Sequence, residues 1–129
     1  MKGSNDKMDI YKYWDAVIKQ DNEQIAGFFH KNAYIRWHNT NEQFSVNEFV
    51  RANCEYPGQW EGSVERVESF DNLTITVTRV WTKDEKISFH VVSFIKIQDD
   101  KIISIDEYWG DDGESPQWRK DLNLGSKIN

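Results

Sequence analysis

Hydrophobic and polar positions along the chain change period partway through. Near the start, Ile10, Tyr13, Trp14, Val17 and Ile18 recur at helical spacing and form one stripe. Asp21 with Gln24 three residues on resembles a capping box, and Ile25, Phe28 and Phe29 give a second, short apolar face. The clearest helix start is Ser45 with Glu48, flanked by Phe44 and Phe49 where a hydrophobic staple belongs. That helix is expected to run to about Tyr56 and stop before Pro57-Gly58. Elsewhere the period drops to two. Residues 33–38 alternate Ala33, Ile35, Trp37 against Tyr34, Arg36, His38, and 63–70, 73–81, 86–97 and 101–109 read as four long strands. The gaps between the last three pairs are short, so the four strands should form an antiparallel meander. Three helices followed by a meander predict an α+β domain with the helices covering one face of a curved sheet.

Two charges interrupt this pattern. In 73–81 one row reads Leu73, Ile75, Val77, Arg79, Trp81, with mostly Thr on the other. In 101–109 the alternation Ile103, Ile105 continues to Glu107 and Trp109. A charge on an inward row is tolerated when it is paired or solvated in a cavity. If Lys83-Asp84 and Asp99-Asp100 are two-residue turns, Arg79 lies opposite Ser88, Val77 opposite His90, Val92 opposite Glu107 and His90 opposite Trp109. Arg79, His90 and Glu107 then share a sheet face walled by Trp37, Trp81 and Trp109. One residue added to either loop puts Ser93 in place of His90. Such a group suits acid–base chemistry: aromatic walls raise the carboxyl pKa, an arginine opposes that, and histidine passes the proton on. The plainer alternative is a semi-buried Arg79–Glu107 ion pair. Tyr13 and Trp14 are core residues by default, but one of them is placed to close a cavity if there is one. His38 is expected to face outward beside Arg36.

Composition narrows the function. The 129 residues suit one domain, with a core over about 8–119. A net charge of −6 with no Lys/Arg-rich run argues against nucleic acid. No apolar run is long enough to span a membrane, and the opening MKGSNDKMD has no apolar signal core, so a cytoplasmic protein is expected. The single Cys54 forms no internal disulfide and fits a reducing compartment. The acidic DDGE stretch lacks calcium-loop spacing, the three His and one Cys lack zinc spacing, and no phosphate loop or dinucleotide fingerprint occurs, so no metal or cofactor is expected. Six Trp, five Tyr and seven Phe in so short a chain point to irregular core walls or a ring-lined cavity.

The order helix–helix–strand–helix–meander, the segment AYIRWHNTNEQF entering the third helix and the final strand DDKIISIDEYWGDDG resemble the nuclear transport factor 2-like superfamily, in particular its SnoaL-like branch. The resemblance implies a cystatin-like cone: a bent sheet around helices with a pocket at one end, often dimeric through the sheet. It also implies an inward acid or histidine that works without a cofactor. Arg79-Val80-Trp81 is similar to an R-V-D segment of limonene epoxide hydrolase, and Ile105 to Gly110 to its last strand, W-R-D-Y-F-D. Arg79 and Glu107 match an arginine and an acid of that active site, while Trp81 replaces its second Asp. The expectation is a homodimer that binds a small apolar or aromatic molecule. Glu107 would be the base, His90 the proton partner and Arg79 the orienting group or oxyanion stabiliser. Trp37, Trp81, Trp109, Trp14, Tyr13 and Ser93 would line the pocket. The alternative is a non-catalytic binding or oligomerisation module whose cavity is filled by side chains.

Overall fold

A computed structural model describes residues 8–129. Helix α1 (Ile10–Lys19) begins at Asp9, whose carboxylate accepts from the backbone N–H of Tyr11 and Lys12, and ends at Gln20 in the left-handed region (φ 57°). Helix α2 (Asn22–Gly27) is capped by Asp21, which accepts from Gln24 N. Strand β1 (Phe29–Trp37) turns through residues 38–41 into a short β2 (Glu42–Ser45) absent from the predicted elements. Helix α3 (Val46–Cys54) carries the full Ser45/Glu48 capping box and stops two residues short of the predicted end, before Pro57. Then come β3 (Trp60–Phe70), β4 (Leu73–Thr82), β5 (Ser88–Gln98) and β6 (Lys101–Asp111). A last short helix, α4 (Gln117–Asp121), straddles the expected end of the core at about residue 119 and is absent from the predicted elements.

The six strands form one curled, unclosed sheet in the order β2-β1-β6-β5-β4-β3. The meander β3 to β6 is antiparallel, as expected. The N-terminal β1 pairs in parallel with the last strand, β6, setting Trp37 beside Glu107. Helices α1, α2 and α3 lie on the concave face. There Tyr13, Trp14, Ala16, Ile25, Phe49, Ile35, Val91, Ile95 and Ile105 make the core.

Two departures from the predicted registers decide where the charges point. The β4–β5 connection spans four residues, Lys83 to Lys86, closed by Thr82 N–H donating to Ile87 O at 2.9 Å. Arg79 therefore pairs with His90 instead of Ser88. The β5–β6 turn is the expected two-residue Asp99-Asp100, both with positive φ (52° and 60°). Just beyond it, however, Ile97 pairs with Ile102 and Lys96 with Ser104, leaving Ile103 as an extra, bulged residue. The bulge slips the ladder by one, so Glu107 faces Ser93 and not Val92.

The inner row of β4 is also the reverse of the expectation. Thr76, Thr78, Val80 and Thr82 are buried against the helices, and Leu73, Ile75, Val77, Arg79 and Trp81 lie on the convex face. The more apolar row thus points away from the core.

Candidate active site

Glu107 is 1% exposed, in the middle of β6, between β1 and β5. One carboxyl oxygen, Oε1, accepts from Trp37 Nε1 at 3.0 Å, and Oε2 accepts from Ser93 Oγ at 2.6 Å. Burial disfavours the charged form and pushes the Glu107 pKa up to about 7. The hydrogen bonds from Ser93 and Trp37 pull the other way and lose to it. The Trp109 indole, whose buried N–H has no hydrogen-bond partner, adds a weaker pull of the same sign. Beneath lies Tyr13, fully buried, with a hydroxyl that also has no partner. Burial first, and the Glu107 charge second, raise its pKa well above the ordinary phenol value.

Above this carboxyl is a cavity of about 580 Å³. Its walls are Trp14 and Ile18 from α1, Ala52 and Asn53 from α3, and Trp37, Trp60, Val80, Phe89 and Trp109 from the sheet. Exposed Asn39, Thr40 and Asp111 stand at its edge. The rings run edge to edge around it. Tyr56 meets Trp60 at 5.5 Å, Trp60 stacks on Phe89 at 5.9 Å, Phe89 meets Trp109 at 6.0 Å, and Trp109 meets Trp37 at 6.2 Å. The cavity is therefore lined, not filled, by its aromatic residues. Glu107 is not itself on the wall; Trp37, which is, holds the carboxyl by its indole N–H.

The expected convergence of three charged residues on one face does not occur. Glu107 points inward, but Arg79 and His90 lie on the convex face, because the Thr row of β4 and the bulge at Ile103 set the faces the other way. There His90 Nδ1 meets Asp112, His90 Nε2 lies 3.1 Å from Glu65, and Ser88 Oγ also donates to Asp112. Glu65 is itself the extra residue of a bulge in β3, between Val64 and Arg66. The Arg79 Nε is 3.7 Å from Asp112, and its guanidinium lies 4.5 Å over the ring of Trp81. The bond to Asp112 raises the His90 pKa above its ordinary value against a smaller opposing effect of burial. Trp81 therefore stands outside the cavity. Ser93 is brought to Glu107, the outcome expected for a one-residue slip. Trp14, Trp37 and Trp109 line the cavity, while Tyr13 sits behind it in the core. His38 faces outward, bonded to Asp106 Oδ1 at 2.7 Å and stacked on Tyr108. Trp60, Phe89, Tyr56 and Asn53 were not singled out from the sequence. Phe89 was legible in the row Phe89, Val91, Ser93, whereas Trp60 lies outside the strand expected over 63–70 and opens the longer one observed. Cys54 is half-buried in α3, with its thiol pushed up by burial.

No protein-family model matches the chain, and no curated protein does. Solved structures do. A proposed ketosteroid isomerase from Kribbella flavida superposes with a TM-score of 0.76 at 20% identity, over 93% of this chain and 87% of its own. An NTF-2 like protein of unknown function from Burkholderia xenovorans gives 0.75 at 19% identity, over 93% and 92%. The fold is that of the nuclear transport factor 2-like proteins. An LEH-like epoxide hydrolase from M. tuberculosis shares this nuclear transport factor 2-like fold more distantly, with a TM-score of 0.65 at 10% identity over 78% and 79%. At these identities the likeness extends to the chain trace alone. Among the described residues no helix is long and apolar enough to cross a membrane.

Proposed function

We propose that the protein binds a small, largely apolar or aromatic molecule in the ring-lined cavity. The observation that carries this is the cavity itself: about 580 Å³ kept open inside a ring-rich core, within the range of small-molecule pockets. A second reading adds cofactor-free acid–base chemistry, with Glu107 as the proton acceptor or donor. It is favoured by a carboxyl whose pKa of about 7 lets it exist in both states near neutrality. In that reading Trp37 must give up its hydrogen bond to open the carboxyl to the ligand, and neither His90 nor Arg79 takes part. One experiment addresses both. Intrinsic tryptophan fluorescence and thermal shift are followed against a panel of small aromatic and alicyclic ketones and alcohols, with solvent-deuterium exchange into any bound compound read by NMR. Binders are expected to quench the fluorescence and raise the melting temperature. A panel that moves neither signal removes the proposal. For the second reading, Glu107→Gln should keep binding and abolish exchange; exchange that survives the substitution rules Glu107 out.

We further infer that the convex face pairs with a second copy of the chain. Leu73, Ile75, Val77, Val92 and Phe94 form an apolar patch there, edged by charges of both signs: Arg79 and Lys96 against Asp106 and Glu65. Sedimentation equilibrium should give a dimer for the wild type and a monomer for Val92→Asp. A wild type that stays monomeric at about 1 mM, where pairing worth about 4 kcal/mol would show, removes this inference.

A further inference from the structure

Most of the side-chain hydrogen-bond donors around the cavity are already engaged, the buried Trp109 Nε1 excepted. Trp37 Nε1 donates to Glu107, Trp14 Nε1 to Thr76 Oγ1 at 3.0 Å, and Trp60 Nε1 to Pro57 O at 3.2 Å. The amide nitrogen of Gln20 donates to two backbone carbonyls, Asn53 O at 2.8 Å and Tyr56 O at 2.9 Å. Asn53 Nδ2 donates to Val17 O at 2.9 Å, and the Thr40 hydroxyl donates to Glu42. With its nitrogen held this way, the amide of Gln20 has only its oxygen to offer a ligand. The indoles, their N–H groups turned into the protein, have only their π faces and carbon edges. Among the described residues lining the cavity there is no Lys, Arg or His, and the single charged side chain is Asp111.

The ring faces, the amide oxygen and the carboxylate share a sign, opposite to that of the ring edges. A π face, an amide oxygen and a carboxylate each present negative potential to whatever enters. An anion would lose its water here and meet no cationic side chain to replace it. A neutral hydrocarbon would gain from burial alone. An organic cation would gain from burial, from the ring faces and from Asp111 together.

We propose that the cavity selects an organic cation, a quaternary or protonated alkylamine on an apolar body, held by the faces of Trp37, Trp60 and Trp109 and by the Asp111 carboxylate. This specifies the ligand of the small-molecule site proposed above and rests on it. A trimethylammonium group occupies a small part of 580 Å³, which leaves room for the apolar body against Val80 and Phe89.

The test is a comparison of three molecules of one shape: choline, its neutral isostere 3,3-dimethylbutan-1-ol, and 3,3-dimethylbutanoate. Each is titrated against the wild-type protein by tryptophan fluorescence and by calorimetry. Choline is expected to bind about tenfold more tightly than the alcohol, the scale of a cation–π attraction away from bulk water, with the carboxylate weakest. Asp111→Asn, at an exposed position, should weaken choline about threefold and leave the alcohol unmoved. An alcohol that binds as tightly as choline overturns the cation selectivity while the small-molecule site stands. Absence of binding by all three overturns the cation proposal, and the small-molecule site falls with it only if the ketone and alcohol panel also moves neither signal. Because the decisive comparison uses only the wild-type chain, no folding defect can imitate the result.

Discussion

Glu107→Gln raises the melting temperature at pH 8 and leaves it nearly unmoved at pH 5. The folded protein holds the Glu107 proton up to about pH 7, while an unfolded chain releases it near 4.5. A group whose pKa is raised by folding contributes stability that is fully present below the unfolded value. That contribution is lost as pH rises through the folded one. Between about pH 4.5 and 7 the wild type therefore forfeits on the order of 3 kcal/mol, and above 7 the loss is complete. Glutamine escapes it because an amide reproduces both contacts of the protonated acid. Its oxygen accepts from Trp37 Nε1, and its N–H₂ donates to Ser93 Oγ, whose hydroxyl can turn to accept. The expected gain at pH 8 is on the order of 10 °C for a domain of this size. Differential scanning calorimetry of both proteins across pH 5 to 8 gives the result, and subtracting the two curves cancels the titration of His90 and Asp112. A difference that stays constant with pH would show that Glu107 is not a buried, protonated acid. A stabilising change behind the wall of a proposed site is also the pattern expected where function and not folding maintains the residue.

Gly62→Val destabilises the protein by about 3 kcal/mol, although valine is the better strand former. Gly62 sits in β3 opposite Val80, beneath helix α1. A Cβ there would lie 2.6 Å from Ile18 Cδ1 and 3.0 Å from the Arg79 carbonyl oxygen. The isoleucine tip can move aside, but the carbonyl belongs to the β4 backbone and cannot. Intrinsic propensity spans about 1 kcal/mol, and the overlap outweighs it. Ile18 and Val80 both line the cavity, so the relief has to come at the cavity wall. Denaturant unfolding of Gly62→Ala, Ile18→Ala and the double variant separates the two contacts. Removing the Ile18 side chain should recover part of the cost of the alanine, with the remainder assigned to the carbonyl. Full additivity of the two substitutions would show that α1 does not press on β3 at this glycine.

Caps and the β5–β6 turn were the most legible part of the chain, whereas the turn expected at Lys83-Asp84 is a four-residue connection. Ser45 with Glu48, Asp21 with Gln24, and Asp99-Asp100 are local devices whose geometry depends on a few adjacent residues, and each is found where the pattern placed it. Glu107 was legible for a related reason: a lone acid on the Ile105–Trp109 row faces the core whatever its partners. Its company was not. One bulged residue, Ile103, exchanges Val92 for Ser93, and nothing in KIISI marks which isoleucine leaves the ladder. The β4 face failed through the usual rule that the greasier row goes inside. Thr76 is inside because Trp14 needs an acceptor, and Thr78 and Thr82 share its row. The outer row is greasier for reasons that lie beyond a single chain, on the reading proposed for that face. The short β2 and the parallel pairing of β1 with β6 depend on contacts distant in sequence, which no local period encodes.

That parallel pairing also joins distant parts of the chain at one side chain. The acid's two hydrogen-bond partners differ in separation: Trp37 stands 70 positions before Glu107, and Ser93 stands 14 before it. Closing the larger loop costs the more chain entropy in building such a sheet. The meander can pair by neighbours, but its glutamate has the Trp37 contact only where the first strand lies against the last. The proton affinity of this one carboxyl therefore reports on contacts that join the two ends of the sheet's sequence.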